Sequence, residues 1–210
     1  MGDSVAHGMV ALGRRVVAAG LVVAAGGNLA ARRPGADQLL VTPMGWALDE
    51  LDPSTLVGVR TDGTVVGGCE RPTSELPLHL AAFTARPDAD VCVHLHPPMA
   101  TLLHALGLPI RRITTDHAYY LSRLGEVAFL PPGSAELADA VAAELAGADV
   151  VLLAHHGCVV VADSFDLAFS RAANLEAAAV ATYRAVTLGV PVQEASGVVY
   201  GTSAGSAEGL

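Results

Sequence analysis

Apolar residues recur at helical spacing from about Val5 to Ala19. The pattern then breaks at Gly20 and in the run Gly26, Gly27, Asn28, where the chain has the backbone freedom for turns. QLLVTP (38–43) predicts a short strand ended by proline, and VGVRTDGTVVGG (57–68) predicts two strands folded back at Asp62-Gly63. SELPLHLAAFTAR (74–86) predicts a helix with Ser74 as its cap and Pro77 in the first turn, where a missing N–H costs little. VCVHLHPPMA (91–100) predicts a buried strand stopped by Pro97-Pro98, although two histidines interrupt its apolar run. A short helix over MATLLHALG (99–107), a strand over EVAFLPPG (126–133) and a helix over 134–147 follow, the last capped by Ser134 and ended by Gly147. DVVLLAHHGCVVVAD (149–163) reads as two strands joined near His156-Gly157, and an alanine-rich amphipathic helix runs from about Ser164 to Leu188. Helices and strands mixed without strict βαβ order predict an α/β domain over residues 1–195, with a central, mainly antiparallel β-sheet flanked by helices. Residues 196–210 are expected to be a flexible tail.

Composition narrows the class. At 210 residues, 52% hydrophobic and 16% charged, the chain is suited to one domain with a large core. Its apolar stretches fall short of the about 20 residues a bilayer span requires, and the first eight residues carry no basic leader segment. A cytoplasmic location is expected. All 12 basic residues are arginine. Schiff-base chemistry, which needs a lysine amine, is thereby excluded. A net charge of −9 with scattered arginines predicts binding neither to nucleic acid nor to an anionic membrane. Cys69, Cys92 and Cys158 have no CxxC spacing and read as reduced thiols.

Candidate chemistry gathers on the histidines. His94 and His96 alternate along a strand, so they project from one face about 6 to 7 Å apart. His155 and His156 adjoin on another strand end, and only one of them can face the first pair. Three imidazoles with an open position form a catalytic metal set; an HxH pair by itself is more often two partly buried polar residues. Glu75 begins the helix before the HxH strand, a place where an acid also simply complements the helix dipole. His79, four residues on, reads as structural.

In order and spacing, GGNLAAR (26–32), TPMG (42–45), TSE (73–75), HLH (94–96) and HHG (155–157) resemble the class II aldolase/adducin family, from about residue 10 to 190. In its sugar-phosphate aldolases, such as fuculose-1-phosphate aldolase, the matching residues have known roles. The resemblance implies that His94, His96 and His156 bind a divalent metal, zinc first, with manganese, cobalt or iron as alternatives, and that His155 is a neighbour. It makes Glu75 the group that moves protons, with Gly27, Asn28, Met44, Gly45, Thr73 and Ser74 around the substrate phosphate. Segment 111–125 offers His117 and Tyr119 as proton donors, and Arg111 and Arg112 as anion contacts. The implied assembly is a homotetramer with active sites at subunit interfaces.

The implied reaction is aldol cleavage of a small ketose phosphate through a metal-stabilised enediolate; with no lysine, the ion must hold the negative charge. Decarboxylation of a hydroxylated aromatic or related carboxylic acid leaves a similar carbanion and is the alternative, with a sugar-phosphate dehydratase or epimerase third. A non-enzymatic module resembling the adducin head comes last, since such members lose the metal histidines. Met44 departs from the aldolase pattern, because a thioether cannot donate a hydrogen bond to phosphate, and it favours the decarboxylase.

Overall fold

The computed structural model describes residues 4–195 apart from 34, 36 and 69, so the expected tail (196–210) and Cys69 lie outside the described residues. The first apolar repeat forms α1 (Ser4–Ala18), which buries Met9, Leu12 and Val16 on one side. Eight strands follow: β1 (Asn28–Arg32), β2 (Gln38–Val41), β3 (Val57–Arg60), β4 (Val65–Gly67), β5 (Val91–Leu95), β6 (Leu124–Val127), β7 (Val150–Leu153) and β8 (Gly157–Ala162). They form one sheet in the order β4-β3-β2-β1-β5-β8-β7-β6. Every pairing is antiparallel except β6 with β7. The helices α2 (Leu76–Ala85), α3 (Pro98–Ala105), α4 (Thr115–Tyr120), α5 (Ala135–Leu145) and α6 (Phe165–Thr187) complete an α/β fold with a mainly antiparallel sheet, as the pattern predicts. Among the described residues no helix is long and apolar enough to cross a membrane.

The sheet has a core on each face. β5 shows the sorting: Val91, Val93 and Leu95 pack with α1, α3 and α6, while Cys92 turns to the side covered by α2 and α5. Burying each such aliphatic side chain contributes about 1.5–3 kcal/mol. The two-residue period of the strand therefore also fixes the side on which His94 emerges, the layer of α2.

Several elements differ from expectation. NLAAR forms β1, a central strand between β2 and β5, although it contains no β-branched or aromatic residue. α2 begins at Leu76 with Glu75 at the capping position, and no side chain caps it, so Ser74 is not a helix cap. Instead the Glu75 N–H donates to the Thr73 hydroxyl at 3.2 Å. α4 is an unexpected short helix capped by Thr114. β6 lies two residues earlier than its apolar pattern and ends at Val127, leaving Phe129 exposed. Ser134 and Ser164 cap α5 and α6 as expected.

Candidate metal and substrate site

His94 sits near the end of β5, almost wholly buried. Its Nδ1 lies 3.0 Å from the Cys158 carbonyl oxygen on β8. A carbonyl only accepts, so Nδ1 carries the proton and Nε2 presents a lone pair. That Nε2 lies 3.0 Å from His96 Nε2 and 3.2 Å from His156 Nε2. Only one N–H can point along a single in-plane lone pair, whereas one cation can accept from all three nitrogens. Ligands at about 2.1 Å from a tetrahedral zinc stand roughly 3.4 Å apart, close to these separations. Burial lowers the pKa of all three imidazoles, and repulsion between the charged forms adds to it at His94 and His156; His156 falls to about 4. The donor set is thus neutral at pH 7 and fits a divalent ion.

Local sequence explains the convergence. β8 runs antiparallel to β5 with Leu95 opposite Cys158, which brings the β7–β8 turn beside His96. A side chain at Gly157 would meet the Leu95 carbonyl oxygen and come within 2.7 Å of the His96 ring. A side chain at Gly26 would come within 3.1 Å of His96 Nδ1 from another direction. Two glycines therefore leave the space His96 occupies. In the turn, His155 takes a left-handed backbone (φ 58°) and is exposed, with its ring 6.2 Å from that of Phe129. His156 is the one turned inward.

The three histidines border a cavity of about 260 Å³ that is also lined by Gly27, Asn28, Met44, Gly45, Thr73, Ser74 and Glu75. These residues were singled out on five separate sequence segments, and the fold brings them together. Glu75 is 5% exposed; one carboxyl oxygen, Oε2, is buried without a hydrogen-bond partner among the described residues. Burial raises its pKa, offset in part by the Gly133 backbone N–H. Asn28 pairs with His94 across β1 and β5, so both side chains share one face.

His117 and Tyr119 are not among the residues lining this cavity. His117 is buried on α4, whereas Tyr119 is 41% exposed with its ring edge-on to Tyr120 at 5.0 Å. Arg111 and Arg112 each lie 3.7 Å from Glu194. Trp46 and Pro132 line the cavity as well. Trp46 had a signal in the sequence, since it directly follows the TPMG turn; Pro132 had none short of the fold.

Residues 7–183 match the sequence profile of the class II aldolase and adducin N-terminal domain. The chain is 32% identical over 188 residues to a 5-methylthioribulose-1-phosphate/5-deoxyribulose-1-phosphate aldolase of Rhodospirillum rubrum, covering 88% of this chain and 83% of the relative. It is 34% identical over 157 residues to a 3-oxo-tetronate 4-phosphate decarboxylase of Haemophilus influenzae, covering 72% and 74%. Among solved structures, an L-fuculose 1-phosphate aldolase superimposes with a TM-score of 0.84 at 28% identity, over 93% of this chain and 92% of that one.

Proposed function

Because the chain belongs to the class II aldolase and adducin family and is one of its lyases, we propose that it cleaves a small ketose phosphate between the carbon next to its ketone and the carbon beyond, as a metal-dependent aldolase. The observation that carries this reading is the convergence of three neutral imidazole nitrogens at the edge of a cavity that also holds a buried carboxyl group. His94, His96 and His156 would hold zinc, and the same donors accept manganese, cobalt or iron. A divalent ion there supplies Lewis-acid stabilisation of the negative charge left beside the ketone when the bond breaks.

The remaining chemistry belongs to the chain. Asn28, Thr73 and Ser74 offer amide and hydroxyl donors for a phosphate, with backbone amides at Gly27 and Gly45. Met44 contributes only shape. Glu75, with its raised pKa, holds a proton closer to neutral pH than an ordinary carboxyl does, and can deliver it to the carbon that keeps the electron pair.

Two relatives' substrates suggest a common core. 5-Deoxyribulose 1-phosphate and 3-oxo-tetronate 4-phosphate each have a ketone between a phosphorylated CH2 and a hydroxylated carbon. Breaking the next bond releases acetaldehyde from the first and carbon dioxide from the second. Both leave dihydroxyacetone phosphate once the hydroxylated carbon is protonated. They differ in one requirement: the aldehyde forms only if a base removes its hydroxyl proton. Neither His117 nor Tyr119 lines the cavity of its own chain, and this favours decarboxylation of a phosphorylated 3-oxo acid as the second reading. The aldolase reading extends to a homotetramer in which a neighbouring copy brings Tyr119, the exposed member of that pair, to the site.

The test is to supply the zinc-loaded protein with each compound and follow dihydroxyacetone phosphate together with acetaldehyde or carbon dioxide. Acetaldehyde release that a chelator abolishes and zinc restores is the expected result. Carbon dioxide alone would reverse the order of the two readings, and no product from either would overturn this substrate class.

A further inference from the structure

Against Asn28 lies His79 of α2, wholly buried and not part of the cavity lining. Its Nε2 is 2.6 Å from Asn28 Oδ1, a contact between residues 51 apart in sequence. Its other nitrogen, Nδ1, is buried with no hydrogen-bond partner among the described residues. Leu78 and Ala82 beside it in α2 are core residues. A leucine at 79 would bury no unpartnered nitrogen, so packing alone does not account for an imidazole here.

The proton's position follows from the contact. An amide oxygen only accepts, so Nε2 carries the hydrogen and Nδ1 keeps a lone pair. The reverse arrangement, with the Asn28 NH2 donating to the ring, would leave a buried N–H without an acceptor, the rarer defect in proteins. The Asn28 oxygen is therefore committed to α2, and its two N–H donors are left for the cavity. With the amide reversed, an oxygen would face the site, where it would repel an anion.

We propose that His79 is a positioning residue that locks the Asn28 carboxamide with its N–H donors toward the site, so that they receive the substrate's phosphate. This rests on the reading of the cavity as a phosphate-binding lyase site. His79 touches no substrate; it sets which end of Asn28 does. A free carboxamide would divide its time between a donor and an acceptor face, and phosphate affinity would fall accordingly.

A double-mutant cycle on the zinc-loaded full chain tests this, with inorganic phosphate as the probe and dissociation constants measured by calorimetry. Phosphate drawn directly to the ion adds the same term to every variant and cancels. Asn28→Ala should weaken phosphate about tenfold, the size of one hydrogen bond to a charged group, and His79→Leu about two- to threefold, since a carboxamide divided between its two faces is competent about half of the time. The double variant should bind no worse than Asn28→Ala alone. His79→Gln, which keeps a side-chain N–H donor, should recover most of the loss, and zinc content should stay at the wild-type level in all. If the leucine variant does not fold, His79→Met takes its place. Losses that multiply in the double variant, or failure of the glutamine to rescue, would reduce His79 to general packing and overturn the proposal. Weakening by Asn28→Ala with no effect of His79→Leu would overturn the positioning role and leave the site reading intact. No effect of Asn28→Ala, or no phosphate binding by the wild-type chain, would remove the site reading and this inference with it.

Discussion

A single carbonyl group, that of Cys158, decides which nitrogen of His94 faces the cavity. Ligand geometry at the candidate centre thus depends on the strand pairing as much as on the imidazoles themselves. Removing one ligand tests this without touching the core: His96→Ala should lose the metal, by elemental analysis, and keep the far-ultraviolet spectrum of the folded chain. Glu75→Gln should separate binding from chemistry, with metal content unchanged and turnover lowered about 10²-fold or more. The metal-free protein should also be sensitive to acid. Burial holds His79 at about 3 and His156 at about 4, against an ordinary value of 6.5. Below pH 6.5 the unfolded chain takes up protons that the folded chain refuses, so stability is complete above that pH and declines as pH falls toward 4. The slope is up to about 1.4 kcal/mol per pH unit for the wholly buried His79 and less for His156, which solvent screens in part. Urea titrations of the chelated protein at pH 7 and pH 5 would show it, and equal midpoints would contradict it. At this scale strand alternation placed His94 and His96 from sequence alone. It did not separate His155 from His156, a choice made by the backbone of the turn. Nor does any periodicity connect Asn28 with His79 across 51 positions.

At the scale of elements, two features hold the site's framework. The first is the β7–β8 turn: Gly157→Ala would press a methyl group against the Leu95 carbonyl and the His96 ring. It should weaken metal binding and destabilise the fold by about 2 kcal/mol or more, measured by metal titration and by chemical denaturation. The second is Asp149 at the start of β7. It accepts hydrogen bonds from Arg86, just after α2, at 2.7 Å and from Arg171 of α6 at 2.8 Å, with Arg123 3.4 Å away. Asp149→Ala should cost about 3–5 kcal/mol in denaturation, because two largely buried guanidinium groups lose their shared partner. Long periodic segments such as α1 and α6 could be read from sequence within a residue or two. The errors fell where propensity is weak and tertiary pairing decides. NLAAR becomes a strand because β2 and β5 flank it. Ser74 loses the capping role because the chain reaches Glu75 in the cavity wall before the helix begins.

For the whole molecule, the metal and the assembly are the open variables. An ion that binds only the folded chain stabilises it by mass action, about 2.7 kcal/mol at a hundredfold excess over its dissociation constant. Chelation should therefore lower the melting temperature of the wild-type chain and leave His96→Ala unchanged. Light scattering at micromolar concentration should give four chains per particle, and a monomer that retains aldol cleavage would exclude a role for a neighbour's Tyr119. The order of the strands also sets a sequence of events in time. The sheet's centre joins partners far apart along the chain: β1 must find β5, and β5 must find β8, across loops that include most of the helices. His94 and His156, 62 residues apart, come within reach only when the second of these closures is made. Such closures are the slow steps of folding. Metal capture should consequently mark the last phase of refolding, and an ion supplied at the outset would leave the earlier phases no faster.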